Sequence, residues 1–114
     1  MLTANLLEDV VYNDDAPAIK VLFKSATTKE VRIAFKADQK MKEHQTPYPI
    51  SVEMVDGNLD FGVNGTIHNL KKGDLLYLDG AIPHDLHAKT DAIVRLTLST
   101  QDTVQRVENV IEQS

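Results

Sequence analysis

The 114-residue chain has no cysteine, no tryptophan and only three phenylalanines and three tyrosines. Without cysteine there can be no disulfide, no thiolate metal ligand and no thiol nucleophile, so His, Asp and Glu are the strong metal ligands that remain. Long apolar runs are missing too, and nothing approaches the roughly 18 to 20 residues a membrane-spanning helix requires. The first segment, MLTANLLEDVVYNDD, is acidic where a secretory signal is basic, and no apolar stretch follows it. These absences predict a soluble, cytoplasmic chain with no membrane partner. Basic residues are also outnumbered, 12 Lys and Arg against 17 Asp and Glu, for a net charge of −5. Binders of nucleic-acid backbones usually need a basic face that releases counterions, so nucleic acid is not an expected partner.

What is present is the composition of one globular domain. Hydrophobic residues make up 42% and charged residues 25%, and the length allows a single core but not two. From Ala18, Ile19, Val21 and Phe23 alternate with Lys20, Leu22 and Lys24, the period of a half-exposed strand. After the polar break 25–29, Val31, Ile33 and Phe35 alternate with Arg32, Ala34 and Lys36, which predicts a hairpin. Ile50, Val52 and Met54 alternate with Ser51, Glu53 and Val55 up to the turn pair Asp56-Gly57. Leu59, Phe61 and Val63 then lead into Asn64-Gly65, the strongest hairpin signal in the chain, with Ile67 on the return strand.

A further turn falls at Lys71-Lys72-Gly73-Asp74, followed by a short strand from Leu75 to Leu78 and a loop over 79–83. Ile93, Arg95 and Thr97 alternate with Val94, Leu96 and Leu98 in a last strand. Many short strands separated by close turns predict an all-β sandwich or closed barrel. The tail differs: Asp102 and Gln105 resemble a capping box, and Val104, Val107, Val110 and Ile111 repeat at helical spacing. The expected organisation is one domain over 1–114, with an N-terminal arm over 1–17, a barrel over 18–99 and a short α-helix over 101–113. The sequon at Asn64-Gly65-Thr66 is read as turn chemistry rather than as a glycosylation site.

The stretch EHQTPYPISVEMVDGNLDFGVNGTIHNLKKGDLLYLDGAIPHDLHA resembles the conserved core of the small single-domain cupins, double-stranded β-helix barrels related to jelly rolls. The first cupin motif has the form G-x5-H-x-H-x3-4-E-x6-G, and the second G-x5-P-x-G-x2-H-x3-N. With Gly57 as the closing glycine of the first motif, its two histidines fall at His44 and Thr46 and its glutamate at Ile50. With Gly73 opening the second, its proline falls at Asp79, its glycine at Ala81, its histidine at His84 and its asparagine at Ala88. The intermotif stretch from Asn58 to Lys72 matches the compact microbial cupins and contains the Asn64-Gly65 hairpin.

In that family three histidines and a glutamate hold a divalent metal inside the barrel. The resemblance therefore implies a site at His44 and His84, with two of its four ligands replaced by Thr46 and Ile50. A threonine hydroxyl is a poor ligand and isoleucine offers none. The implied cofactor is none, or a weakly bound Zn, Ni, Fe or Mn.

The expected ligand pocket comprises His44, Thr46, Tyr48, Ile50, Val52, Met54 and His84, with Tyr48 included because it lies beside His44. In the plainer reading His44 is a loop histidine and His84 a buried one satisfied by a neighbour, while Ile50, Val52 and Met54 simply line a core. His87 is out of phase with His84 and should face outward, as should His68 and Glu53. Tyr77 reads as an ordinary barrel-rim residue, and Glu43 could reach the site only through a bulged strand.

The expected function is a small-molecule-binding or sensing cupin without firm catalytic activity. The alternative is a metal-dependent cupin enzyme, a dioxygenase or isomerase, with the missing ligands supplied by water or substrate. Acid–base isomerisation by one histidine without metal, or a purely structural dimer, completes the range. A homodimer is expected, with Val21 and Phe23 at its two-fold interface, because small barrels with edge strands gain from pairing and small cupins commonly pair through N-terminal strands.

Overall fold

A computed structural model describes residues 1–100, and the helix expected over 101–113 lies outside them. Nine strands follow one another: β1 (Ala18–Lys24), β2 (Thr28–Phe35), β3 (Lys40–His44), β4 (Ile50–Asp56), β5 (Asn58–Val63), β6 (Thr66–Lys71), β7 (Leu75–Leu78), β8 (His84–Ala88) and β9 (Ala92–Ser99). They form two antiparallel sheets, one in the order β1-β2-β9-β4-β7 and the other in the order β3-β8-β5-β6. Only the β1–β2 and β5–β6 connections stay within a sheet. Every other connection crosses to the opposite sheet, so the chain winds as a double-stranded β-helix with the core between its layers. Among the described residues no helix is long and apolar enough to cross a membrane.

The alternation read in β4 becomes burial: Ile50, Val52 and Met54 are enclosed, while Ser51, Glu53 and Val55 are only half covered. Leu59 and Phe61 of β5, Leu86 and Ala88 of β8, and Val94, Leu96 and Leu98 of β9 complete the same cluster with Val31, Ile33 and Phe35 of β2. Each large apolar side chain fully withdrawn from water contributes about 1.5–3 kcal/mol. This shared interior is what holds the sheets together.

The tight turns are where the sequence placed them. Asn64 and Gly65 both have positive φ, 52° and 76°, as a two-residue hairpin of the I′ type demands, and Val63 pairs with Thr66 around them. Gly57, at φ 83°, makes the step from β4 into the other sheet, and a side chain there would lie 2.8 Å from the Cα of Ala92.

β1 and β2 depart from simple alternation. The β1–β2 ladder slips between Val21 and Phe23, so Leu22 is the extra residue, and Phe23, opposite Glu30, leaves the face of Ile19 and Val21, which stand opposite Ile33 and Val31. Val21 is exposed, whereas Ile19 packs on the core.

In β2 both faces are covered, Arg32 included at 3% exposure. Its guanidinium donates to the backbone carbonyls of Leu6, Glu8 and Asp9, which places the N-terminal arm over the outside of the sheet. Nearby on that face, Glu30 is held by Arg95 and by the Thr97 hydroxyl at 2.8 Å, and Arg95 also reaches Glu53 at 3.2 Å. Glu53 therefore points away from the core, as its phase required.

Candidate functional site

Two short strands that the apolar pattern did not mark, β3 and β8, carry the two histidines. They are adjacent in the four-stranded sheet, and His44 at the end of β3 pairs with His84 at the start of β8. Met41, three residues before His44, pairs with Leu86, only two residues beyond His84, so β3 holds one extra residue. In a regular strand residues three apart face opposite ways. The bulge restores a common face, and Met41 and His44 both turn to the side of Leu86 and His84. Glu43, the carboxylate that a bulge might have delivered, stays exposed.

The imidazoles meet edge to face, with ring centroids 4.3 Å apart and planes at 61°. His84 lies nearly parallel to Phe61 of β5, at 5.4 Å and 11°. Phe61 reaches it because β5 is the other neighbour of β8, with Val63 opposite His84 and Phe61 opposite Leu86. His84 is 3% exposed, while His44 is half-buried.

Each ring is fixed by its own backbone. Nδ1 of His44 donates to the Lys42 carbonyl at 2.8 Å, and Nδ1 of His84 to the Ile82 carbonyl at 2.9 Å. A carbonyl oxygen can only accept, so the proton of each neutral ring sits on Nδ1 and Nε2 keeps its lone pair. Neither Nε2 has a hydrogen bond among the described residues, and no buried side-chain nitrogen or oxygen there lacks a partner. Both Nε2 atoms therefore still touch open space. Burial pushes both pKa values below the usual 6.5, opposed by the two carbonyl bonds, and for His84 the neighbouring His44 pushes the same way. Asp85 acts on both rings in the raising direction. The pair is neutral at neutral pH, two acceptors side by side.

Two loops adjoin the pair as its rim, 45–49 directly after His44 and 79–83 directly before His84. The Ala81 amide donates to the Thr46 carbonyl at 2.6 Å, joining the 45–49 segment to the 79–83 loop. Gly80 passes so near this segment that a Cβ there would lie 2.8 Å from the Pro47 carbonyl carbon. Ala81 itself has φ 64°, a left-handed conformation that an L-residue with a side chain adopts at a cost. This is the position at which the second cupin motif has its glycine.

Thr46 is buried in the loop beyond the end of β3, two residues after His44. Ile50 is buried at the start of β4, and Val52 and Met54 lie in the same core cluster as Phe61. Tyr48 is half-buried, and its hydroxyl makes no hydrogen bond to either histidine. His87 faces the other side of β8, where it meets Asp38 at 2.6 Å, and His68 and Tyr77 are exposed. Among the described residues no three His, Asp or Glu side chains form a group able to hold a metal ion. The described residues thus do not make the four-ligand centre of the family. Phe61 and Asp85 were missed as site residues. Phe61 was legible only as an alternating core position, and nothing in the sequence tied it to His84.

No family model and no curated protein matches the chain. Solved structures do. An RmlC-like cupin protein from Desulfovibrio desulfuricans superposes with a TM-score of 0.79 at 26% identity, over 87% of this chain and 96% of that one. An RmlC-like cupin from Shewanella frigidimarina gives 0.74 at 18% identity, over 86% and 88% of the two chains. KdgF from Halomonas sp. gives 0.73 at 16%, over 93% and 97%. Sheet order, left-handed residues at the glycine positions 57, 73 and 81 and these neighbours agree, and the chain is a small cupin-superfamily domain.

Proposed function

We propose that this domain binds a small molecule at the His44–His84 pair and has no firm catalytic activity of its own. The observation that carries the reading is the fixed tautomer of two adjacent imidazoles, each tied through Nδ1 to its own backbone and each with an accessible Nε2. Groups held this way lose little freedom when a ligand arrives. Phe61 supports the His84 ring from one face, and the bond from the Ala81 amide to the Thr46 carbonyl ties together the loops next to the two histidines. Equilibrium binding against a metabolite panel, with His44→Ala and His84→Ala alongside the parent, tests this. The reading expects a ligand whose affinity falls at least tenfold in both variants, and unchanged affinity in both would remove the site.

The proposal includes a homodimer with Val21 and Phe23 of β1 at its two-fold interface. In support, β1 is an outer strand of its sheet and Val21 is 41% exposed. Light scattering at micromolar concentration should return twice the chain mass, and a monomer would refute this part.

A further inference from the structure

We infer that the His44–His84 site takes a small ligand rich in hydrogen-bond donors, an amine foremost, and turns away carboxylates and phosphates. The inference rests on the binding role proposed above and narrows it to a ligand class. Both Nδ1 protons are already given to the Lys42 and Ile82 carbonyls, so the pair has no donor left to offer. What each ring has left for a ligand is the lone pair on its Nε2. An ammonium or hydroxyl group can donate to these, and an amine bearing a second donor can satisfy both.

A carboxylate or phosphate would meet two lone pairs with no proton between them. It could be held only if a ring took up a proton, against the enclosure of His84 at 3% exposure and the second ring 4.3 Å away. The charge next to the pair in the chain acts in the same direction. Asp85 follows His84 directly, stands over Gly62 on β5, and is the charged side chain that acts on both rings. Lys40 and Lys42 line the outer groove along β3 and β8 together with Glu43 and Asp85, so that groove is not a cationic surface that could draw in an anion.

The test follows the imidazole carbon-bound proton signals of the full chain at about pH 7.5, above the usual histidine pKa. The probes are ethanolamine, acetate and inorganic phosphate, with His68 and His87 as internal references outside the site. Ethanolamine should shift the His44 and His84 signals saturably, whereas acetate and phosphate at equal concentration should not. Asp85→Asn should weaken ethanolamine by about twofold to fivefold, the scale of one half-screened charge. Saturation of the pair by acetate or phosphate would overturn the inference while leaving a ligand site in place. Silence of both signals towards all three probes would also overturn it. The binding role itself is decided separately, by whether His44→Ala and His84→Ala lose the panel ligand.

Discussion

His44 stands opposite His84 because β3 contains one residue more than β8 between the Met41–Leu86 pair and the histidines. The ring that reaches the site is thus chosen by the bulge, not by the count of residues along a regular strand. Without the bulge, position 43 would face inward. The double variant Glu43→His with His44→Ala should therefore fail to recover the ligand affinity lost in His44→Ala. Recovery to within about twofold of the parent, measured by calorimetry, would show that β3 is regular in solution.

Acid should weaken the fold through the same pair. Burial holds the folded-state pKa values of His44 and His84 below the usual 6.5, so between those values and 6.5 the unfolded chain binds more protons. Stability then falls as pH drops through this window and levels off once both folded-state rings are protonated. Each unit of difference per ring corresponds to about 1.4 kcal/mol. Asp14 and Asp38 are also lowered, by Lys36 and His87, but they titrate below 3.8 and leave this window clear. Urea midpoints at about pH 7.5 and 5.5 should differ less in His84→Gln than in the parent. An equal difference in both would contradict the neutral, buried pair.

The rim carries its own prediction. Ala81 at φ 64° has the strain that a glycine would relieve, and its amide is already bonded to Thr46. Ala81→Gly should be stabilising by about 0.5–1 kcal/mol after the extra freedom of the unfolded chain is set against the relief. Gly80→Ala should be destabilising by about 2 kcal/mol, because its Cβ would press on the Pro47 carbonyl, which is backbone and cannot turn aside. Denaturation midpoints of the two variants should move in opposite directions.

Rebuilding the inherited ligand set tests the alignment of the first motif. Thr46→His with Ile50→Glu should raise nickel or zinc affinity by at least about tenfold over the parent, since it adds two strong ligands near the existing pair. The metal-free double variant should be less stable, because position 50 is buried and an unpaired carboxylate there is costly. A folded double variant with parental metal affinity would contradict the placement of positions 46 and 50 around the site.

The sequence showed most of the barrel, because strands with one face on the core and one towards water write their geometry as alternation. β4 and the Asn64-Gly65 hairpin were read correctly on that basis. β3 and β8 were not, since KMKEH and HDLHA place charged or imidazole groups among few apolar ones and are short. The bulges at Leu22 and before His44 are also invisible to a period of two, which is why alternation alone puts Phe23 on the face of Ile19 and Val21. Arg32 looked like a solvent-facing residue. It is enclosed by carbonyls of an arm that has no periodic pattern to announce its path. At the site, His44 and His84 were visible through the family motif, whereas Phe61 reaches His84 across strands, a relation that depends on ladder register.

The most direct test of the account is the protonation state of the two rings, read from long-range proton–nitrogen correlations of the imidazoles at about neutral pH. The account predicts that His44 and His84 are both neutral with the proton on Nδ1, and that saturation with the panel ligand moves both Nε2 resonances. A proton on Nε2 of either ring, or Nε2 resonances unmoved at saturation, would contradict it.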